Sequence, residues 1–321
     1  MSLSQHHRMA RREVTGYDLE RSLTFVQESA AGAAEGVFGR ESTIWKVDRE
    51  AAVFLGAGRA LLLQLAHPWV ATAIADHSSA LTDPIGRFHR TFDVVFTMVF
   101  GSLDQALHMS RRLHRRHSKI TGKLPDELAA GEAYIANELS ALMWVHATLV
   151  DTAVAAYELV MPTLSPEVRE RYYADCRLLG ALFGIPVEAQ PGNWPAFRTW
   201  FDETIASDRL SVVSAAKTVG GEVLSGAGRI PVPRWYLDVT ASLMPERLRA
   251  AFDLRFGNSE QRRARRALAA LRYAYPILPR RIRHVGPYQE ALARTAGRGR
   301  PDLLTQSLNL FWIGRSSMRE E

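Results

Sequence analysis

The chain has 321 residues, of which 47% are hydrophobic and 23% are charged, so it carries enough apolar surface to fold around a core. Its single cysteine excludes an internal disulfide framework and a zinc or iron–sulfur site built from several thiolates. The formal net charge is +6, and the positive charge comes from 36 arginines and only 4 lysines.

The start of the chain has no signal-peptide pattern. Residues 1–12 are polar and basic, and no apolar run precedes Phe25, so we expect a cytoplasmic location. The most apolar stretch, residues 51–75, contains four residues that are costly in hydrocarbon, and we therefore predict a buried core helix that ends near Pro68. These four residues are Arg59, Gln64, His67 and Pro68.

Apolar residues recur at three- and four-residue intervals along most of the chain, which predicts an all-α fold. The predicted helices cover residues 50–65, 90–102, 103–121, 131–160, 165–182, 195–207 and 258–273. Capping signals agree, because Asp83-Pro84 and Ser165-Pro166 can each begin a helix and Gly122 can end one. Strand-like alternation is scarce.

Two Gly-x-Gly pairs, at residues 56–58 and 226–228, lack the third glycine and the preceding strand of a nucleotide-binding motif. We interpret them as packing or turn glycines. No histidine has a Glu or Asp three positions before it, which disfavours a carboxylate-bridged di-iron bundle.

Histidines cluster in the most helical part of the chain, at positions 67, 77, 89, 108, 114, 117 and 146. A lone histidine on a helix with an apolar face suits an axial haem ligand, because haem needs only one strong protein nitrogen and an apolar slot. His117 is such a candidate. Since His114 lies three positions earlier, a basic solvated surface is the other interpretation.

Arg87 and Thr91 are four positions apart and therefore share a helix face. Such a pair could hold a haem propionate or a bound oxidant; alternatively, the arginine is exposed and the threonine bonds back to its own helix. His146 follows Met143, Trp144 and Val145, which predicts burial, either against a backbone carbonyl or beside a ligand.

Eight arginines lie between residues 262 and 283, on an amphipathic helix and the proline-punctuated turn after it. A solvated helix face and weak contact with an anionic membrane surface both fit this pattern. No nucleic-acid fold motif accompanies the cluster, so we expect no nucleic-acid partner.

Six short motifs in order make the sequence resemble one family. They are LLLQLAHP from residue 61, ADHS from 75, DP-x-GR-x-x-RT from 83, FG at 100, H-x-x-I-x-G from 117 and WVHA from 144. The chain resembles the MpaB / rubber oxygenase (latex clearing protein) catalytic domain family over residues 35–295. Residues 1–34 and 296–321 would then be an N-terminal extension and a C-terminal tail, in which residues 311–313 could dock.

The resemblance implies a single multi-helix domain with a globin-related core that holds haem b on one proximal histidine. His117 matches that ligand, Arg87 and Thr91 match the haem-pocket arginine and threonine, and His146 matches a further pocket histidine. Arg90 stands where a rubber oxygenase has a lysine that can cap the distal iron. Arginine is permanently charged and a poor metal ligand, so the same capping is not expected here.

We therefore expect a haem b-dependent oxygenase that uses dioxygen on an unsaturated, isoprenoid or lipid-like small substrate. Its apolar cleft would be built by Val94, Val95, Met98, Val99 and Phe100. One alternative is a non-catalytic haem carrier or sensor with His89 or His146 as second axial ligand. Another is a degenerate family member that binds an apolar ligand without metal. The sequence does not predict an oligomeric state.

Overall fold

A computed structural model describes residues 12–78, 83–124, 133–226 and 231–319, and this part of the chain is predominantly helical. Within it the α-helices are α1 Gly16–Ser29, α2 Thr43–Asp48, α3 Ala57–Leu65, α4 Pro68–His77, α5 Pro84–Phe100, α6 Leu103–His117, α7 Leu139–Val160, α8 Pro166–Leu182, α9 Trp194–Ala206, α10 Ser214–Leu224, α11 Arg234–Leu243, α12 Glu246–Ala251, α13 Asn258–Ala274, α14 Arg280–Arg283, α15 Gly286–Thr295 and α16 Leu303–Ile313. The predicted all-α fold is confirmed, whereas its relation to the globins stays a prediction.

Short 3-10 turns and one small sheet complete the described structure. The 3-10 turns are Ala51–Gly56, Val187–Ala189 and Tyr275–Ile277. The strands β1 Thr121–Lys123 and β2 Ala133–Ile135 pair antiparallel, with Gly122 opposite Tyr134. This hairpin corrects two predictions, because Gly122 lies in a strand and the helix predicted from residue 131 begins at Leu139.

The apolar stretch over residues 51–75 is not one helix. It forms the 3-10 turn, then α3, then α4, whose first residue is Pro68. Proline lacks the N–H of a helix interior but fits the first turn, so Pro68 begins a helix while the preceding one ends at Leu65. A Cβ on Gly56 would lie 2.3 Å from Thr152 Cγ2, which confirms its packing role. Gly228 lies outside the described residues.

Helix α7 runs through the centre of the fold. Among the described helices, it alone is long and apolar enough to cross a membrane by length and composition, yet most of it is buried in the protein. It also carries Asp151, whose Oδ2 lies 2.5 Å from Arg59 Nη2 on α3. A core helix of a folded domain explains these features.

The end of the chain packs onto the helical core. Trp312 on α16 is buried, and its ring contacts Phe54, Phe88, Phe92 and Phe96. Ile313 is buried as well, so the predicted docking of residues 311–313 is confirmed for these two side chains. Phe311 remains 59% exposed.

Candidate functional site

Helices α4, α5, α6 and α7 surround a cavity of about 280 Å³. Its walls are mainly apolar, with a few polar side chains. The apolar lining includes Trp69, Val70, Ile74, Val94, Val95, Leu113, Leu142, Val145 and Phe183. A concave apolar site with a few converging polar groups is the usual form of a small-molecule site.

All five predicted site residues line this cavity. Arg87, Arg90 and Thr91 reach it from α5, His117 from α6 and His146 from α7. Asp83 caps α5 by accepting a hydrogen bond from the Gly86 amide at 2.9 Å on Oδ1, and the helix turn that follows presents Arg87 and Thr91 to one side.

His117 is the last residue of α6. This helix begins with a capping box formed by Ser102 and Gln105. Burial, together with the charges of Arg116 and His114, lowers the pKa of His117 to about 4. The imidazole is therefore neutral near pH 7, which is the form that binds a metal ion.

His114 does not share that environment. Its Nε2 lies 2.9 Å from the carbonyl oxygen of Val14, and its side chain is not part of the cavity lining. The alternative of a basic solvated surface over residues 114–117 therefore applies to Arg115 and Arg116, which are exposed, but not to the two histidines, which are partly buried. The two rings leave α6 toward different neighbours.

His146 is only 6% exposed, which confirms its predicted burial. Burial lowers its pKa to about 4, so this ring is neutral as well. Its Nε2 is buried without a hydrogen-bond partner among the described residues. A buried polar atom without a partner is costly, so this nitrogen is available to a bound group.

Thr91 combines the two interpretations that the sequence left open, whereas the alternative of an exposed Arg87 is wrong, because this side chain is partly buried in the cavity lining. Thr91 Oγ1 donates to the Arg87 carbonyl at 3.0 Å, which is the bond back to its own helix, yet the side chain also lines the cavity. Arg87 donates to Ser78 Oγ. Burial and the charges of Arg90 and Arg116 lower the pKa of Arg87 to about 10, so it stays charged near pH 7.

Positive charge dominates the polar part of the cavity. Arg87, Arg90 and Arg116 all line it, and the described lining contains no carboxylate. Arg90 and Arg116 are exposed, and Arg90 Nη1 lies 3.2 Å from Asp83 Oδ2. Guanidinium groups beside an apolar cavity favour a ligand that is apolar with anionic groups at one end.

The described residues contain no group of three or more His, Cys, Asp or Glu side chains that could hold a metal ion.

A comparison with protein families matches residues 45–273 to the family described as "ER-bound oxygenase mpaB/B'/Rubber oxygenase, catalytic domain". The chain belongs to this family. No curated protein and no solved structure matched the chain.

The family match contains every predicted site residue of this MpaB / rubber oxygenase domain, and it assigns the chain to a class of oxygenase catalytic domains. Three of the five residues predicted for the cleft are corrected. Val94 and Val95 line the cavity, but Met98, Val99 and Phe100 are fully buried in the core.

Met98, Val99 and Phe100 are buried because the last turn of α5 leaves the cavity and packs against α2. There, Trp45 Nε1 donates to the Val99 carbonyl at 2.8 Å, and the Trp45 ring contacts Phe100. His89 is also excluded as a second axial ligand. Its Nε2 lies 3.1 Å from the Phe311 carbonyl oxygen, and the residue does not line the cavity.

Gln64 and Arg116 are lining residues that the sequence interpretation missed. Gln64 Nε2 donates to Thr148 Oγ1 at 3.2 Å, so it fixes the wall between α3 and α7. A polar residue among the leucines at the end of α3 was the available signal for Gln64. Arg116 gave no separate signal, because it belongs to a run of basic residues at the end of α6.

Proposed function

We propose that this domain is an oxygenase that holds haem b in the cavity between α4, α5, α6 and α7 and acts on an unsaturated apolar small substrate. The observation that carries the proposal is a largely buried, neutral His117 beside an apolar cavity with three guanidinium groups. When bound, haem supplies the dioxygen chemistry, which side chains alone cannot provide.

The residues present fit this group. His117 would provide the axial nitrogen, and the lining arginines would pair with the propionates, since guanidinium and carboxylate form strong charge-assisted hydrogen bonds. The apolar walls would exclude water from the macrocycle and from an isoprenoid or lipid-like chain.

His146 supplies a polar atom deeper in the cavity. Because its Nε2 has no hydrogen-bond partner in the described part of the chain and its ring is neutral, it can exchange a hydrogen bond with the substrate or with the oxidant. Thr91 contributes its hydroxyl oxygen, which can still accept a hydrogen bond while its proton is donated to the Arg87 carbonyl. These two residues are assigned to positioning, and His117 and the arginines to cofactor binding.

Absorption spectroscopy tests the assignment directly. The purified protein, reconstituted with haem, should show a Soret band and stoichiometric iron, and the His117→Ala variant should lose both. His108→Ala is the matched control, because His108 is exposed on the same helix and does not line the cavity. A spectrum that is unchanged in His117→Ala, or lost equally in the control, would remove the assignment.

Activity is a separate measurement. The loaded protein should consume dioxygen in the presence of unsaturated isoprenoids or lipids, and not with their saturated analogues. Equal consumption with both, or none across the panel, would contradict the substrate class while leaving haem binding intact.

His146 Nε2, which no described residue contacts by a hydrogen bond, favours one alternative, a haem carrier or sensor with iron held by two histidines. That protein would show a six-coordinate low-spin spectrum that becomes five-coordinate in His146→Ala. A colourless preparation without iron that binds an apolar ligand would instead indicate a degenerate family member. We propose the cytoplasm as the location, with or without membrane attachment, which cell fractionation tests.

A further inference from the structure

The outer face of α16 is apolar although it is exposed. Leu303 is 80% exposed, and Leu304, Leu310 and Phe311 are exposed as well. These four residues lie on one side of the helix, opposite the buried Trp312 and Ile313. The exposed Ser307 lies among them, and its hydroxyl donates to the Leu303 carbonyl at 3.0 Å. Residues 303–313 contain no charged side chain. Soluble helices place polar residues on such a face, so an apolar one indicates a binding surface.

A second exposed apolar group, the turn cluster, adjoins the start of α16. It consists of Tyr273, Ile277 and Ile282, of which Tyr273 is 80% exposed. Arg281, next to Ile282, forms an ion pair with Asp302, the residue that caps α16 before Leu303. The ion pair links the segment that carries the turn cluster to the first turn of α16.

Arginine is the predominant charged residue in the two segments that carry this surface. Arg280 and Arg281 are exposed between Ile277 and Ile282 of the turn cluster, and Arg298 and Arg300 are exposed just before α16. Asp302 is the single carboxylate in residues 273–283 and 296–319, and it is paired with Arg281. Apolar side chains surrounded by arginine complement lipid chains below anionic headgroups.

We propose that the α16 face and the turn cluster dock the protein on an anionic lipid bilayer. The apolar side chains enter the headgroup region, and the four arginines contact the lipid phosphates. The surface is independent of the proposed haem site. His89 Nε2 lies 3.1 Å from the Phe311 carbonyl oxygen, so the docked surface adjoins α5. If the proposed function is correct, docking would also bring the cavity close to apolar substrates in the bilayer. Docking itself does not depend on the proposed function.

Vesicle flotation tests docking without haem or substrate. The protein should float with vesicles of phosphatidylcholine and phosphatidylglycerol, less with phosphatidylcholine alone, and less at high salt. The double variant Leu303→Ser/Phe311→Ser should lose at least tenfold in partition coefficient, and Arg280→Gln or Arg300→Gln roughly fivefold each. Tyr17→Ser and Arg255→Gln are the matched controls, because both residues are exposed elsewhere.

A label provides a second readout. Cys176 is buried, so Leu303→Cys offers a selective site for an environment-sensitive dye. Its emission should shift to the blue with anionic vesicles, whereas the same dye on Tyr17→Cys should not respond. Absence of flotation, equal flotation of the double variant, or a shift at both positions would overturn the proposal. A dimer that the double variant dissociates would overturn it in favour of a second copy as the occupant.

Discussion

Arg59 Nη2 lies 2.5 Å from Asp151 Oδ2 in the interior between α3 and α7. Asp151 also pairs with Arg198, and Arg59 Nη1 donates to Thr152 Oγ1 at 2.6 Å. Helix α7 carries His146, so the Arg59–Asp151 pair holds this wall of the cavity against α3. Removal of one partner leaves the other charge buried without compensation.

Asp151→Ala should therefore lower the free energy of unfolding by about 3 kcal/mol or more. Chemical denaturation measures this change. Asp202→Ala is the control, because Asp202 is the exposed partner of the same Arg198, and exposed pairs contribute about 1 kcal/mol or less. Similar losses in the two variants would contradict the importance of burial.

Asp48 predicts a pH dependence. Burial raises the pKa of this carboxyl group from 3.8 to about 7, so the folded protein retains a proton that the unfolded chain has released. This contribution to stability is complete below about pH 4, near the pKa of the unfolded chain, and is lost progressively as the pH rises to about 7. Asp48→Asn should thus stabilise the protein at pH 8 by about 2 kcal/mol or more and change little near pH 4.

Thermal unfolding at both pH values checks this prediction. Tyr172 donates to Asp48 Oδ1 at 3.1 Å, and an asparagine oxygen can accept the same bond. Asp208→Asn, at an exposed position, should show no such pH-dependent gain. An equal effect of Asp48→Asn at pH 4 and pH 8 would show that the carboxyl group ionises normally.

Arg87 predicts an effect on cofactor affinity. If it pairs with a propionate, Arg87→Leu should weaken haem binding by roughly ten- to a hundredfold, the usual value of a hydrogen bond between charged groups. Arg87→Lys should retain part of the affinity, because lysine keeps the charge but not the bidentate geometry. Haem titration measures both, with Arg115→Leu as an exposed control outside the cavity lining. Unchanged affinity in Arg87→Leu would place the propionates elsewhere.

Trp312 predicts that the end of the chain contributes to stability. Its ring fills a space among four phenylalanines, and truncation of such a side chain costs about 3–5 kcal/mol. Trp312→Ala should lower the unfolding free energy by this amount. Phe311→Ala, at the neighbouring exposed position, should have a small effect, and a large one would contradict the described packing.

Helical periodicity was sufficient for the all-α class and for the grouping of the site, because residues three or four apart share a face wherever the helix packs. It could not identify β1 and β2, since three residues are too few to show an alternating pattern. It also could not separate Val95 from Met98, because both are apolar and only the position of α2 decides which enters the core. The orientation of the His89 ring could not be predicted either, because it depends on contact with α16, which is far away in the sequence.

Glu50 sets a limit on how far the gene can be shortened. Its carboxylate lies 2.9 Å from Arg283 Nε and accepts a hydrogen bond from Tyr275 Oη at 3.0 Å, and both partners follow residue 273, where the family match stops. A recombinant fragment cut at that boundary would keep an interior anion with neither neighbour and would uncover the phenylalanines beneath Trp312. Expression of the family region alone should therefore give aggregates, and useful truncations should retain residues 275–313.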